Sequence, residues 1–437
     1  MNRTLSKDVS KQIGKQVQIQ GWLHKKRLLG GLTFLSIRDR SGLTQVVLQD
    51  KTEVEKLRGL QIGTVLAVEG TAKEEPRAPG GAELHEATLE VLVPVTDEPP
   101  IEIDKPLGHK SENLDTLFDN RVIGLRNLQE QTIFKVQAKV LEAARQHFAD
   151  NGFTEMNTPK LLAEATEGGA EVFKMDYFGK EATLAQSAQF YKQMMVGVFE
   201  RVFETNPTYR AEPSATTRHM TEYITIDAEM GFITFDDLLT FTSGLINHVA
   251  STVWDAYGDD LKKWNAQKPI LTEQIPRLTM VEVHALYAKA NKEDYSSEDD
   301  LRPDEERWIC EYAKKNLGSE AVFVTEWPSS SMKFYHRKNA DNPELADRSD
   351  LLFRGVEIAT VPMREHRYEV LVEQLKTIAK GDPTHPGFEH YLTAFKYGLP
   401  EHGGFGMGLE RLTQKLIGLS NVKEATLFPR DINRLAP

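Results

Sequence analysis

The chain has 437 residues, a single cysteine and a formal net charge of −12. This length predicts two or three domains, and one cysteine excludes both an internal disulfide and a thiolate zinc site. No secretory leader and no apolar run of transmembrane length is evident, so we expect a cytoplasmic protein without a membrane partner. The acidic balance disfavours nucleic-acid binding by the surface as a whole, although the basic cluster within 25–40 is either a local RNA-binding face or a solvated surface.

Residues 1–100 carry the pattern of a small β-rich domain. Short apolar runs are separated by turn chemistry, as in the segment Asp39-Arg40-Ser41-Gly42. This pattern predicts a small barrel or sandwich, with an OB-fold barrel the favoured case. The acidic, proline-rich stretch 94–100 predicts a linker, and residues 101–130 are assigned to a hinge. The predicted strands lie at 17–19, 32–37, 43–47, 65–70 and 89–93.

From about residue 130 the pattern becomes helical. Apolar residues at three- and four-residue spacing predict a helix over 133–148, which ends at Asp150-Asn151-Gly152 and leads into an extended segment up to Pro159. Residues 235–320 combine helical signals with an acidic run at 296–306. This region predicts a solvated helical insertion that takes no part in the chemistry.

The stretch 209–230 predicts an antiparallel hairpin that faces a pocket. Charged and aromatic residues surround a short polar loop between two extended apolar runs. Guanidinium groups clamp phosphate, a carboxylate can accept from an exocyclic amine, and an aromatic ring can cover a base. These are the ingredients of an ATP site built without a P-loop. The side chains concerned are Arg210, Glu212, Arg218, His219 and Tyr223.

Two carboxylates, Asp350 and Glu357, lie seven residues apart in a largely apolar, strand-like run. A buried charge needs a partner or a metal, and magnesium prefers hard oxygen ligands. The pair therefore needs either a positively charged partner or a metal ion.

Several segments together resemble the signature motifs of class II aminoacyl-tRNA synthetases. The hairpin 209–223 resembles motif 2, the glycine-rich stretch 403–411 resembles motif 3, and the helix and strand that end at Pro159 resemble motif 1. Residues 186–193 and the continuation Asp227-Ala228-Glu229-Met230 are similar to the aspartyl branch, in its archaeal type. The resemblance covers essentially the whole chain.

The resemblance implies an α+β fold and an activity. An N-terminal OB-fold barrel that binds the anticodon (1–100) would precede a catalytic domain (131–437), in which helices flank an antiparallel sheet. Motif 1 implies a homodimer. The implied reaction attaches L-aspartate to tRNA-Asp through an aspartyl-adenylate and uses ATP and Mg²⁺.

The same resemblance implies roles for the residues of the ATP site. Arg210 matches the arginine that contacts the α-phosphate and the amino-acid carboxylate, and Arg411 of motif 3 would grip the triphosphate from the other side; both are the implied catalytic residues. The remaining contacts would come from Glu212 to the adenine amine, Tyr223 to the adenine face, and Arg218 with His219 to the γ-phosphate. Asp350 and Glu357 match the family's magnesium-binding pair.

An aspartate site is also implied. Lys192 and Arg364 match the cations that select the side-chain carboxylate, and Gln189, Asp227 and Glu167 match residues that hold the α-amino group. Without its Gln-Ser-x-Gln context, Lys192 would be interpreted as an exposed helix lysine.

One segment departs from the family pattern. Relatives carry a serine- and glycine-rich run between Glu357 and Arg364, whereas this chain has Ile358-Ala359-Thr360-Val361-Pro362-Met363. Pro362 removes an amide donor and Val361 adds bulk. We expect the ribose contact and the fine selectivity for the amino acid to be affected.

In the barrel, Phe34 and Gln45 are spaced as in relatives that stack on and hydrogen-bond the central anticodon base, and Arg27 is assigned to the same interface. Phe34 is alternatively a core residue. His24 occupies a position where tight discriminators of the archaeal type carry Trp, so it either allows tRNA-Asn to be charged as well or is a barrel surface residue without that role.

Two rival functions stay open. An asparaginyl-tRNA synthetase shares the fold, but the ammonium of Lys192 would be wasted on a neutral amide. A paralogue that has lost aminoacylation would not need the retained ATP and metal residues, which are Arg210, Glu212, Asp350, Glu357 and Arg411.

Overall fold

Two units, residues 1–131 and 132–437, make up the chain. In the computed structural model, the described residues are 2–29, 32–105, 114–163, 171–213 and 216–436. Among the helices within these ranges, none combines the length and the apolar character needed to cross a membrane.

The first unit contains a closed β-barrel, with the strand order β1-β2-β3-β5-β4. Closure confirms the predicted OB-fold and excludes a sandwich. Leu35 and Ile37 face the core, while Phe34 and Ser36, which alternate with them, are half-buried, as strand alternation requires. Asp39 ends β2 and accepts a hydrogen bond from the amide of Ser41, which shapes the next turn. The elements are β1 Gln16–Leu29, β2 Leu32–Asp39, β3 Gly42–Leu48, α1 Lys51–Arg58, β4 Val65–Glu74, β5 Ala82–Val93, α2 Leu114–Asp119 and α3 Arg121–Gly124.

The second unit is built on a sheet in which eight of the described strands follow the order β12-β13-β14-β15-β16-β11-β10-β6. Its pairs are antiparallel except at the two edges, where β6 and β12 pair in parallel. A small sheet of order β7-β9-β8 lies in the same unit. The strands are β6 Thr154–Glu155, β7 Leu161–Leu162, β8 Lys174–Tyr177, β9 Lys180–Leu184, β10 Arg201–Tyr209, β11 Glu222–Gly231, β12 Arg277–Thr279, β13 Ala321–Pro328, β14 Leu345–Phe353, β15 Val356–Pro362 and β16 His402–Gly408.

Helices pack on the large sheet and form the main core with it. The predicted periodic helix is present, and its residues Val136, Val140 and Phe148 are fully buried. Phe148 stacks on Phe203 of β10 with ring centroids 4.4 Å apart. A sheet flanked by helices, as the family resemblance implied, is therefore confirmed. The helices are α4 Leu128–Asp150, α5 Gln189–Phe199, α6 Phe235–Lys263, α7 Met280–Asn291, α8 Pro303–Asn316, α9 Tyr368–Thr377, α10 Pro386–Lys396 and α11 Leu409–Ile417.

Residues 235–320 differ from the predicted solvated insertion. Helix α6 contributes residues such as Leu245 and Val249 to the main core, and residues 277–279 form an edge strand of the large sheet. The acidic run is solvated only in its first part. Glu305 is fully buried against His284, with 2.7 Å between Oε1 and Nδ1, because α8 packs this face inward.

Candidate active site

A cavity of about 290 Å³ opens where the large sheet meets α5 and the start of α11. It brings together residues that lie far apart in the sequence. Asp350 is not part of the lining but contacts Arg348, which is. Glu167 lies outside the described residues. The predicted site residues that line the cavity are Gln189, Lys192, Arg210, Glu212, Arg218, His219, Tyr223, Asp227, Glu357, Arg364 and Arg411.

The predicted hairpin is present as the antiparallel pair β10 and β11. Thr208 pairs with Tyr223, and Glu204 pairs with Asp227. The amide of Arg210 donates to the carbonyl of Thr221 at 2.9 Å, which continues the pairing one residue into the loop. This register holds Arg210 and Tyr223 at the cavity wall.

The glycine-rich segment forms the neighbouring strand β16 and runs directly into α11, as predicted. A side chain at Gly404 would place its Cβ 2.1 Å from the carbonyl oxygen of Ala228, so only glycine allows this close approach. Arg411 lies in the first turn of α11. Its Nη1 donates to the carbonyl oxygen of Glu357 at 3.0 Å and lies 3.5 Å from Oε2 of the same residue.

Four buried charges form what we call the buried half of the site: Lys192, Asp227, Glu229 and Arg364. Lys192 Nζ donates to Asp227 Oδ1 and to the carbonyl oxygen of Phe405, both at 2.8 Å. Arg364 donates to both oxygens of Glu229, from Nε at 2.7 Å and from Nη2 at 3.2 Å. Lys192 is 1 % exposed, so the interpretation as an exposed helix lysine is wrong.

Glu229 had no role assigned from the sequence, yet it positions Arg364. The available signal was its spacing of two residues from Asp227, since alternate residues of a strand share a face. Burial acts to raise the pKa of Asp227, but Lys192 and hydrogen bonds from Thr225 and Asn206 outweigh it and lower the pKa. Asp227 is therefore ionised and its charge is balanced locally.

A hydrogen-bonded chain supports the buried half. Gln189 Nε2 donates to Gln193 Oε1 at 2.8 Å, and the hydroxyl of Tyr391 donates to the same oxygen at 3.0 Å. Burial lowers the pKa of His402 to about 4, so its ring is neutral near pH 7. Nδ1 faces the carbonyl oxygen of Pro400 at 2.8 Å and must donate to it, which leaves Nε2 to accept from Gln193 at 3.1 Å.

The predicted ATP-site arginines, with His219 and Glu357, form what we call the open half of the site: Arg210, Arg218, His219, Glu357 and Arg411. Arg218 Nη2 donates to the carbonyl oxygen of Gly355 and lies 2.9 Å from Glu306 Oε2. Glu306 belongs to the acidic run that was predicted to be solvated. Burial lowers the pKa of His219, and the nearby Arg411 adds to this effect.

Asp350 and Glu357 lie on adjacent strands of the hairpin β14–β15. Leu351 pairs with Ala359 and Leu352 with Glu357, so Ile358 is an extra residue that forms a bulge. The bulge turns Glu357 toward Thr360, whose hydroxyl donates to Oε1 at 2.8 Å.

This carboxylate pair fits the predicted metal chemistry. Burial, and next the charge of Glu357, raises the pKa of Asp350 to about 7 against the opposing effect of Arg348. A buried carboxylate beside a second, partly exposed one is electrostatically unfavourable, and the two together favour a shared cation. The described residues contain no group of three or more acidic, histidine or cysteine side chains arranged as a metal site, so other ligands would have to come from substrate or water.

Comparisons with known proteins agree with this geometry. Residues 113–432 match the family described as tRNA synthetases class II (D, K and N), and residues 17–94 match the OB-fold nucleic acid binding domain. The chain belongs to the class II tRNA synthetases. The family resemblance of the motifs is thereby confirmed.

Named relatives of this synthetase fall into two groups. The aspartate–tRNA(Asp/Asn) ligase of Thermus thermophilus is 43 % identical over 100 % of both chains. The aspartate–tRNA(Asp) ligase of Pyrococcus abyssi is 39 % identical over 99 % of both chains. The structure of asparaginyl-tRNA synthetase from Pyrococcus horikoshii, complexed with asparaginyl-adenylate, superposes with a TM-score of 0.91 at 30 % identity over 100 % of both chains.

In this synthetase, the residues of the departing segment 358–363 divide between the main core and the cavity wall. Val361 and Met363 point into the main core and are fully buried, so the bulk of Val361 does not narrow the cavity. Ile358, Thr360 and Pro362 are the members that line it. Of the two changes expected to matter, the bulk of Val361 and the missing amide of Pro362, only the second faces the site.

The barrel residues predicted to contact RNA have different surroundings. Phe34 is half-exposed and absent from the barrel core, so the core alternative is wrong; it pairs across the sheet with Arg27. Gln45 Nε2 donates to Glu83 Oε2 at 2.6 Å. His24 sits at a bulge of β1 and is 8 % exposed, so it is not a surface residue, and its Nδ1 has no hydrogen-bond partner within the described ranges.

Proposed function

We propose that this chain is an aspartate–tRNA ligase that forms aspartyl-adenylate from L-aspartate and ATP and transfers the aspartyl group to tRNA. The observation that carries the proposal is the placement of two buried cations, Lys192 and Arg364, in one cavity with the ATP-site residues. Both are donors only, and the side-chain carboxylate of aspartate is an acceptor only. The amide nitrogen of asparagine would place donor against donor, which disfavours the asparaginyl alternative.

The buried half would orient the amino acid. Asp227 and Gln189 would accept from the α-ammonium group, and Lys192 with Arg364 would hold the side-chain carboxylate. Asp227 and Glu229 keep the two cations in place before substrate arrives. Such preorganisation lowers the entropy cost of bringing the α-carboxylate to the nucleotide.

Adenylate formation requires charge stabilisation more than covalent chemistry. An α-carboxylate oxygen of aspartate attacks the α-phosphorus of ATP, and the bond to the bridging oxygen of pyrophosphate breaks. Arg210 would stabilise the charge that develops at the α-phosphate, while Arg218, His219 and Arg411 would bind the departing phosphates. Glu212 and Tyr223 line the same cavity and would bind adenine.

Asp350 and Glu357 would hold Mg²⁺, which when bound neutralises negative charge on the phosphates. The pair supplies two oxygen-bearing side chains, and magnesium commonly takes its remaining ligands from phosphate and water.

In the second step of the proposed reaction, a terminal ribose hydroxyl of tRNA attacks the aspartyl carbonyl of the adenylate, with AMP as the leaving group.

We further propose that the barrel binds the anticodon through Arg27, Phe34 and Gln45, and that the enzyme acts in the cytoplasm as a homodimer through α4 and β6. The edge position of β6 in the large sheet supports this interface. His24 is proposed to allow both tRNA-Asp and tRNA-Asn, since an imidazole with an unpaired buried nitrogen can hydrogen-bond either pyrimidine at the base that distinguishes the two anticodons.

ATP–pyrophosphate exchange with aspartate and with asparagine tests the activity. We expect exchange with aspartate only; exchange with asparagine alone would replace the proposal by its rival, and none with either amino acid would favour a paralogue without aminoacylation. Charging of tRNA-Asp and tRNA-Asn transcripts tests the partner. A preference for tRNA-Asp above about 100-fold, roughly 2.7 kcal/mol, would contradict the dual specificity.

A further inference from the structure

Arg348 is a cation of the cavity wall that the chemistry described so far does not use. It lies on β14 two residues before Asp350, and its side chain is 16 % exposed. Nη2 lies 2.7 Å from Oδ2 of Asp350, and Nε lies 3.3 Å from Oδ1. Both carboxylate oxygens of one proposed metal ligand therefore accept hydrogen bonds from a single guanidinium group.

The guanidinium group is held firmly in this position. Its Cζ lies 4.3 Å from the ring centroid of Trp327, a cation–π contact. Trp327 is 2 % exposed, and its Nε1 donates to the carbonyl oxygen of Val324 at 2.8 Å, so the ring itself is fixed. A flexible surface arginine would release its carboxylate partner at little cost. Arg348 is stacked on a fixed ring and makes two hydrogen bonds to Asp350, so its release is more costly.

A divalent cation bound to Asp350 would lie next to the guanidinium group of Arg348. It would have to share or displace the hydrogen bonds of Arg348, and it would be repelled by a fixed positive charge a few ångströms away. The second carboxylate, Glu357, also lies close to a guanidinium group, that of Arg411. In the protein alone, each member of the pair is thus already balanced by an arginine.

We propose that Arg348 competes with a divalent cation for Asp350, so that the pair binds the cation firmly only when nucleotide phosphates add further ligands. This inference rests on the proposed ATP- and magnesium-dependent function. Arg348 acts through Asp350 and is therefore a positioning residue. The device would favour loading of the metal together with the nucleotide over binding to the empty site.

The competition can be tested without any activity measurement by titrating the nucleotide-free protein with Mn²⁺. Binding is measured as the loss of the electron paramagnetic resonance signal of the free ion. Arg348→Gln should bind Mn²⁺ about tenfold more tightly than the wild type, because a hydrogen-bonded positive charge is removed while one amide donor remains for Asp350. Arg348→Lys keeps the charge and loses the two-pronged contact, so a smaller gain of about threefold is expected.

The chain offers a matched control. Arg367 also donates to a carboxylate two residues away, that of Glu365, through Nε at 2.8 Å and Nη2 at 2.6 Å, but lies outside the cavity lining. Arg367→Gln should leave Mn²⁺ binding unchanged. The double variant Arg348→Gln/Asp350→Asn should lose the gained affinity.

The inference is overturned if Arg348→Gln binds Mn²⁺ no more tightly than the wild type, or if the double variant retains the gain. Should Arg348→Gln fail to fold, Arg348→Lys decides alone, since equal affinity to the wild type contradicts competition. Aspartate-dependent exchange by the wild type separates this outcome from the function itself. Normal exchange without a gain of Mn²⁺ affinity refutes only the role of Arg348, and absent exchange refutes the proposed function.

Discussion

The two halves of the candidate active site differ in how their charged side chains are compensated. In the buried half, the four side chains are 0–3 % exposed and pair with one another. In the open half, the side chains of Arg218, Arg411 and Glu357 are 23–34 % exposed, and both arginines also donate to backbone carbonyl oxygens. The buried half is preformed, and in the proposed function the open half would exchange its present partners for phosphate.

The difference follows from the cost of desolvating charge. A buried ion pair is retained only when each partner is fully compensated, and removing one partner is strongly destabilising. Partly solvated cations lose less when a contact is exchanged. We therefore expect selectivity for the amino acid to depend sharply on single residues, and nucleotide binding to be spread over several cations.

The largest effect is expected for Lys192→Met, which removes one partner from the buried half. Aspartate-dependent pyrophosphate exchange should fall by at least about 100-fold, because an unpaired buried charge costs roughly 3–5 kcal/mol. ATP binding, measured by calorimetry, should stay nearly intact.

Lys160→Met is the matched control for this change. Lys160 Nζ also pairs with a buried carboxylate, Glu204, at 2.8 Å, but Lys160 does not line the cavity. It should lower the stability of the fold and leave the KM for aspartate unchanged. Equal loss of exchange in both variants would mean that Lys192 acts through stability alone.

The next largest effect is expected in the open half, at Arg210. Arg210→Ala should slow adenylate formation about 100-fold in single-turnover measurements, because a preorganised donor to a developing charge is lost. The Kd for ATP should change much less, since Arg218 and Arg411 remain.

Arg201→Ala serves as the control, because Arg201 lies on β10, the strand that leads to Arg210, donates to the carbonyl oxygen of Asn151 at 3.1 Å and lies outside the cavity lining. If Arg210→Ala altered only the Kd for ATP, Arg210 would be a ground-state contact.

Acid should lower the stability of the fold around the buried half, because His402 becomes protonated. The folded-state pKa of about 4 lies below the usual value of 6.5, so the unfolded chain binds the proton first. The contribution of neutral His402 to stability is complete above pH 6.5 and is lost as the pH falls from 6.5 toward 4. Between pH 7.5 and 5 the loss should be about 2 kcal/mol in the free energy of unfolding.

Urea unfolding of His402→Gln and the wild type at pH 7.5 and pH 5 measures this effect. The stability gap between the two proteins should shrink at pH 5, because only the wild type carries the titrating ring. His390→Gln, at an exposed position, is the control. A gap that is constant with pH would show that His402 does not carry the acid sensitivity.

The smallest effect lies outside both halves. Phe34→Ala should raise the KM for tRNA roughly tenfold, within the about 1–3 kcal/mol typical of a stacked base, and leave pyrophosphate exchange unchanged. Phe34→Tyr keeps the ring and should bind tRNA like the wild type. A loss of exchange in Phe34→Ala would assign the residue a structural role instead.

Several features of both halves were predictable from the sequence. The hairpin around Arg210 and the glycine-rich strand before Arg411 were predictable because local pattern and turn chemistry specify them. The barrel was predictable from its alternating strands. Glu229, Glu306 and Arg348 were not singled out, because an acidic or basic side chain on a strand or helix has the same local pattern whether it faces solvent or a site.

Only the tertiary structure decided which charges meet. Arg364 and Glu229 are separated by 135 residues, and Lys192 and Phe405 by 213, so no local pattern reports their contacts. The pairing of β11 with β16 brings Glu229 and Phe405 onto neighbouring strands, and the packing of α5 and of the segment after β15 adds Lys192 and Arg364. Burial then makes each contact decisive for the pKa and position of its partner. The sequence by itself determined the family, the motif chemistry and the local elements. It left open the direction in which Val361 points, the burial of His24 and the pairing of Asp350 with Arg348, because each depends on how distant elements pack.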